Sequence, residues 1–253
     1  VLVVERQRHD NFPVGIQVQR FDADGQRIGQ AFDPDTDSLR QANNTMPRVA
    51  VAPDGSFVVT WSFGVASCEE PAQVFLRRFD SQAQPLGPPE VVSEVLDEAP
   101  AGGANSWVSR DASGTLLVAY MGLERDELDD GCRPTSIVTR RLDATGAPLE
   151  PPQWLTSFSI YSFLQAGPGP PGEHRVVYAD GAQLYLQPVA TDGSLGARRV
   201  LLHFFVPDRP IDLAFDDGGH LALLWEQRDD DRLRLMLKRF DAAGALLDGP
   251  LVI

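Results

Sequence analysis

Two phrases recur along the chain, and no other feature of the sequence restricts its fold as tightly. One phrase reads as a strand, a tight turn and a second strand: PRVAVAPDGSFVVTW (47–61), SWVSRDASGTLLVAY (106–120) and IDLAFDDGGHLALLW (211–225), with a looser copy, FLQAGPGPPGEHRVVY, at 163–178. The other contains IQVQRFDADGQRIG (16–29), VFLRRFDSQAQPLG (74–87), SIVTRRLDATGAPLE (136–150), LYLQPVATDGSLG (184–196) and LMLKRFDAAGALLDG (235–249). Aligned on Phe21, Phe79, Leu142, Val189 and Phe240, the second phrase repeats at spacings of 58, 63, 47 and 51. Each unit therefore carries four short strands in roughly 50 residues, the size of a propeller blade.

Within the units the apolar period is two, as in sheets packed face to face. Asp-Gly and Ser-Gly pairs fall where a hairpin needs positive φ. No segment has helical periodicity. The expectation is an all-β, five-bladed propeller in one domain over 1–253, with blade units near 1–32, 47–92, 106–155, 162–202 and 211–253.

If the strands of a blade are named A to D outward from the axis, the first phrase is A-turn-B and the second C-turn-D. The opening VLVVERQ matches strand B and the closing LLDGPLVI matches strand D. The first blade therefore lacks its innermost strand here: either the ring keeps a three-stranded blade, or, as the preferred expectation, the natural protein extends beyond these residues.

The hydrophobic content of 43% suffices for a core, and no apolar run approaches the ~18 residues of a membrane span. A net charge of -14 argues against nucleic acid and anionic membranes as partners, since both recruit basic surfaces.

The pairing of P-x-V-A-x-x-x-D-G-x-F-V-V-T-W with R-F-D-x-x-G-x-P-L-G resembles a blade class found in large secreted bacterial surface proteins. The likeness is strongest at 47–61 and 74–87 and weakest at 163–178. It implies a propeller in an extracellular or cell-envelope setting and carries no defined activity.

Strands in a blade alternate direction, so B–C and D–A connections share one face. These are the long, uneven ones, including SFGVASCEEPAQ, MGLERDELDDGCRPT and DPDTDSLRQANNTM. Such a face on a regular scaffold is where a ligand is expected, although solvent-exposed loops also drift in length without function.

In one of them Asp33, Asp35 and Asp37 alternate like the start of a calcium loop, which suits a hard cation seeking several oxygens. Ser38 and Asn44 stand where an EF-hand has Gly and Glu. Calcium is the candidate cofactor, and a solvated acidic loop is the other reading. Cys68 and Cys132, in B–C loops of consecutive blades, are placed for a disulfide or as two surface thiols. Together with four scattered histidines they form no zinc pattern.

Trp61, Tyr120, Tyr178 and Trp225 recur at one place in strand B, with Glu5 aligned to it in the first unit. They suit interblade packing, or, for Trp61, Trp225 and Glu5, contact with a sugar.

A glycosidase needs two carboxylates flanking one bond, and strand A offers only Asp212. No nucleophile or phosphate-loop motif appears. The preferred expectation is a non-catalytic module binding a glycan or protein. The alternatives are a glycan-active hydrolase of the five-bladed type, with Asp212 in its axial site, or a spacer without a ligand.

Overall fold

The structure, a computed structural model, describes residues 2–7, 13–35, 44–64, 72–93, 103–125, 132–156, 163–203, 211–216, 218–229 and 232–253. They form nineteen strands in five antiparallel sheets. Blade 1 holds β1 (Leu2–Gln7), β2 (Pro13–Phe21) and β3 (Arg27–Phe32); blade 2 holds β4 (Asn44–Val51), β5 (Phe57–Phe63), β6 (Gln73–Phe79) and β7 (Glu90–Val91). Blade 3 runs β8 (Gly103–Arg110), β9 (Leu116–Arg125), β10 (Cys132–Leu142) and β11 (Gln153–Thr156). Blade 4 runs β12 (Leu164–Pro168), β13 (Glu173–Asp180), β14 (Gln183–Ala190) and β15 (Arg199–His203). Blade 5 runs β16 (Ile211–Phe215), β17 (Leu221–Asp229), β18 (Arg232–Phe240) and β19 (Leu246–Val252). The five-bladed all-β architecture matches the repeat spacing, and the first sheet has three strands, with no strand inside β1 among the described residues.

Pleating sends alternate side chains to the two neighbouring blades, so the core divides into layers between sheets. Ile16, Val18, Phe57 and Trp61 fill the layer between blades 1 and 2. Val74, Leu76, Val108 and Val118 fill the next, and Leu117, Ile137, Ala166 and Tyr178 the third. Val177, Leu186, Leu223 and Trp225 fill the layer between blades 4 and 5.

The R-F-D phrase has a physical reason at each letter. Its aromatic or aliphatic residue enters a layer: Phe79, Leu142 and Phe240 are all buried. Its aspartate shapes the C–D turn, because Oδ1 of Asp22, Asp80, Asp143 and Asp241 accepts the backbone N–H groups two and four residues on. That side-chain bond imitates a backbone turn.

The arginine reaches the following blade. Arg20 Nη1 donates to Ser81 O at 2.8 Å, Arg78 Nη1 to Ala144 O at 3.2 Å and Arg141 Nη1 to Ala190 O at 2.9 Å. Pro188 takes this place in blade 4, and there Arg175 donates to Ala242 O instead. The matching residue of blade 5, Arg239, turns back within its own sheet and donates through Nε to Asp248 Oδ1 at 2.9 Å.

The innermost strands share a small residue at one register position. Ala50, Ser109, Gly167 and Ala214 pair with Val58, Leu117, Arg175 and Ala222. The reason is clearest at Gly167, where a Cβ would fall 2.1 Å from a ring carbon of Phe215 in the next blade. At this position the neighbouring blade leaves no room for a side chain.

Candidate functional site at the axis

Inner-strand contacts run from β1 to β4, β8, β12 and β16. At the A–B turn end of the axis, residues of β4, β8, β12 and β16 and of the turns that follow the first three line a cavity of about 710 Å³. Arg48, Trp107, Asp111, Pro168 and Phe215 contribute to its wall. The Arg48 guanidinium lies 4.2 Å from the centroid of the Trp107 ring, a cation–π pair on the wall. Its lining reaches the short A–B turns at Pro53, Ala112 and Pro170. The sequence directed attention to the long-loop end, much of which (36–43, 65–71, 94–102, 126–131, 157–162, 204–210) lies outside the described residues.

Behind the wall, between blades 3 and 4, a polar group sits in the core. His174 is fully buried at the strand position held by Phe57, Leu116 and Leu221 elsewhere. Its Nδ1 lies 3.1 Å from Ser109 Oγ and its Nε2 4.0 Å from Asp111 Oδ2. Asp111 Oδ1 is occupied in the A–B turn, accepting from the N–H groups of Ser113 and Thr115. Burial pulls the His174 pKa down to about 4, against a smaller upward pull from Asp111. The imidazole is therefore neutral near neutrality. Ser109 is buried, so the trio does not present a nucleophile to solvent. Nothing in motif spacing links positions 109, 111 and 174. The one available signal was a histidine where sister blades carry an apolar residue.

Several expected site residues have structural roles. Trp61 is fully buried and stacks on Phe75 with centroids 5.8 Å apart, which leaves it no face for a sugar. Trp225 is also buried, in the layer with blade 4. Interblade packing is the role the structure shows for both rings. Glu5 pairs with Ile16, the register place held by Ser62 opposite Val74 in blade 2. Val4, opposite Gln17, takes the place of Trp61 opposite Phe75, so Glu5 lies one residue past the aromatic position. The sequence alignment of the first unit is corrected by that single step, which reverses the face of a strand residue.

At the long-loop end, Asp33 Oδ1 accepts the Asp35 N–H at 2.9 Å, and the buried Asp35 Oδ2 accepts from Asn44 Nδ2 at 2.9 Å. Arg77 Nη1 donates to the Pro34 carbonyl at 2.8 Å, and burial lowers the Arg77 pKa while Asp35 opposes the shift. Asp33 and Asp35 thus brace the D–A connection. Asp37 lies outside the described residues, and no cluster of three metal-ligating side chains occurs among those described. Cys132 begins β10, opposite Arg125, while Cys68 lies outside the described residues.

Asp212 is exposed on β16, and its Oδ1 accepts the Leu213 N–H at 2.8 Å. It is the one carboxylate on β4, β8, β12 and β16. Its partner in the ladder is Leu224, so both lie on the face of blade 5 directed away from blade 4.

No protein-family model matches the chain, and no curated protein does. Solved structures match it in fold. An ulvan lyase from a new family of polysaccharide lyases aligns with a TM-score of 0.57 at 9% identity, over 98% of this chain and 62% of the lyase. The α-L-arabinanase of Penicillium chrysogenum, complexed with arabinobiose, aligns with a TM-score of 0.55 at 15% identity, over 91% of this chain and 68% of that enzyme. These likenesses establish the fold. The expectation of a non-catalytic module is corrected by this finding, since both of these structural neighbours are described as carbohydrate-cleaving enzymes.

Proposed function

We propose that the chain is a glycan-active hydrolase of the five-bladed propeller type, with its substrate at the axis. One observation carries the reading: an axial cavity of about 710 Å³, within the size range of small-ligand sites, in a fold shared with an arabinanase and an ulvan lyase. Asp212, exposed on an innermost strand outside the wall of that cavity, is the candidate for one of the two carboxylates that glycoside hydrolysis requires. It would transfer a proton to or from the glycosidic oxygen or the attacking water. The charge of -14 favours a neutral glycan, because a polyuronate would be repelled on approach.

The test is sugar release from a panel of neutral and acidic polysaccharides that includes arabinan, with the wild type and Asp212→Asn. Hydrolysis is expected on a neutral member, with the variant slower by ~10²-fold or more. Unsaturated uronate products would reassign the protein as a lyase. Silence across the panel, or an equally active variant, would sink the hydrolase reading with Asp212 in it.

A further inference from the structure

The lining of the axial cavity includes charged and hydroxyl side chains, yet their polar groups are engaged elsewhere. Arg110 Nη1 donates to Ser56 Oγ of blade 2 at 3.0 Å, and the Arg48 guanidinium lies against the Trp107 ring. Asp111 commits Oδ1 to its own turn, and its side chain is 4% exposed. The Ser109 hydroxyl faces His174.

On the blade 4 side the wall is the run Pro168, Gly169, Pro170 and Pro171. The three prolines have no N–H, and the Gly169 N–H donates to Glu173 O at 3.1 Å. That stretch offers a ligand no hydrogen-bond donor. What the cavity presents is ring and aliphatic carbon, from Trp107, Phe215, Pro53, Pro168 and the exposed Val51.

A sugar unit carries hydroxyls around its whole ring, and each one buried without a partner costs free energy. Such a wall is unsuited to a sugar. It suits a flat apolar group that stacks on the indole and phenyl faces. Asp212 stands outside the wall, level with its inner end. It pairs with Leu224 at the register place where Arg48 pairs with Thr60 and Trp107 with Ala119. A substrate that meets both features has its sugar at the height of Asp212 and an apolar group directed toward the A–B turns.

We propose that the cavity is an aglycone site and that the substrate is a glycoside of a phenol, its aromatic ring seated beside Trp107 and Phe215. The proposal rests on the hydrolase reading and narrows it. Water adds to the anomeric carbon while the bond to the phenolic oxygen breaks; that oxygen keeps the bonding pair and takes up the proton the water gives. A phenol has a pKa of about 10, so it leaves with less help from an acid than a sugar hydroxyl does. This chemistry suits a site whose inner strands β4, β8, β12 and β16 carry one carboxylate.

The first arm of the test reads binding alone, with 2-naphthol titrated calorimetrically into the wild type and into Ala112→Trp. Ala112 is exposed in its turn and lines the cavity, so the larger side chain fills space there without entering the core. Saturable one-to-one binding is expected, at least tenfold weaker in the variant. Val51→Trp, at a second exposed lining position, gives the same readout should the first variant lose stability. The second arm follows release of naphthol from 2-naphthyl glycosides of neutral sugars. Cleavage is expected, with free naphthol a competitive inhibitor and KM raised at least tenfold by Ala112→Trp. Absence of naphthol binding, or equal binding by the variants, overturns the proposal; a polysaccharide hydrolysed by the same protein then leaves the hydrolase reading standing. Naphthol bound with no naphthyl glycoside cleaved overturns it as well, and silence on polysaccharides too would take the hydrolase reading with it.

Discussion

The interface between blades 4 and 5 and the seam between blades 5 and 1 use closely similar strands to opposite ends. Leu184 and Leu235 stand at the same place in the repeat, yet one is fully buried and the other is 38% exposed. Arg141 reaches the next blade, whereas Arg239 bonds to its own. What a repeat residue contributes therefore depends on the sheet that follows it, because a blade buries its apolar face only against a neighbour.

The largest test of this contrast is Arg141→Met. Its guanidinium is buried, donates to Ala190 O and lies 2.9 Å from Glu150. Removing one partner of such a pair should cost about 3–5 kcal/mol, read by urea denaturation. Arg239→Met at the exposed, in-sheet position should leave the midpoint unchanged. If both variants unfold alike, the two interfaces do not differ in solution.

Next is the buried histidine of the closed interface between blades 3 and 4. Because its folded pKa is held near 4, below the usual 6.5, its contribution is complete above about pH 6.5 and is lost as pH falls toward 4. Roughly 3 kcal/mol of stability should disappear across that window. His174→Leu, which restores the residue type of blades 3 and 5, should flatten the acid limb. A parallel slope in both proteins would assign the acid sensitivity elsewhere.

Leu184→Ala should cost about 2–5 kcal/mol, and Leu235→Ala less than about 1. Smallest of the core effects is Gly167→Ala, which presses a methyl group toward Phe215 and should cost about 1–3 kcal/mol, measured by thermal unfolding. Phe215→Leu in the same chain should recover part of the loss.

Blade number and strand order were legible because each blade repeats its turn chemistry and its period-two pattern. The three-stranded first sheet of the described residues was legible too, since the opening residues align with strand B. The alignment slipped at Glu5: a run of apolar residues fits two registers equally well, and only pairing with β2 decides between them. Trp61 and Trp225 recur at one place for packing, and their sequences do not report which face of a sheet is covered. The axial cavity and the group formed by Ser109, Asp111 and His174 arise from strands of different blades. Such contacts exist only once the sheets stack.

The aspartates of the R-F-D phrase carry a consequence for how the chain reaches this shape. Each binds its own turn within four residues, so every C–D hairpin that has one holds its bend through contacts local in sequence. Hairpins of that kind form in microseconds, well before distant sheets find each other. Nascent blades can therefore take shape one after another, while the ends of the chain need not meet for any of them to fold.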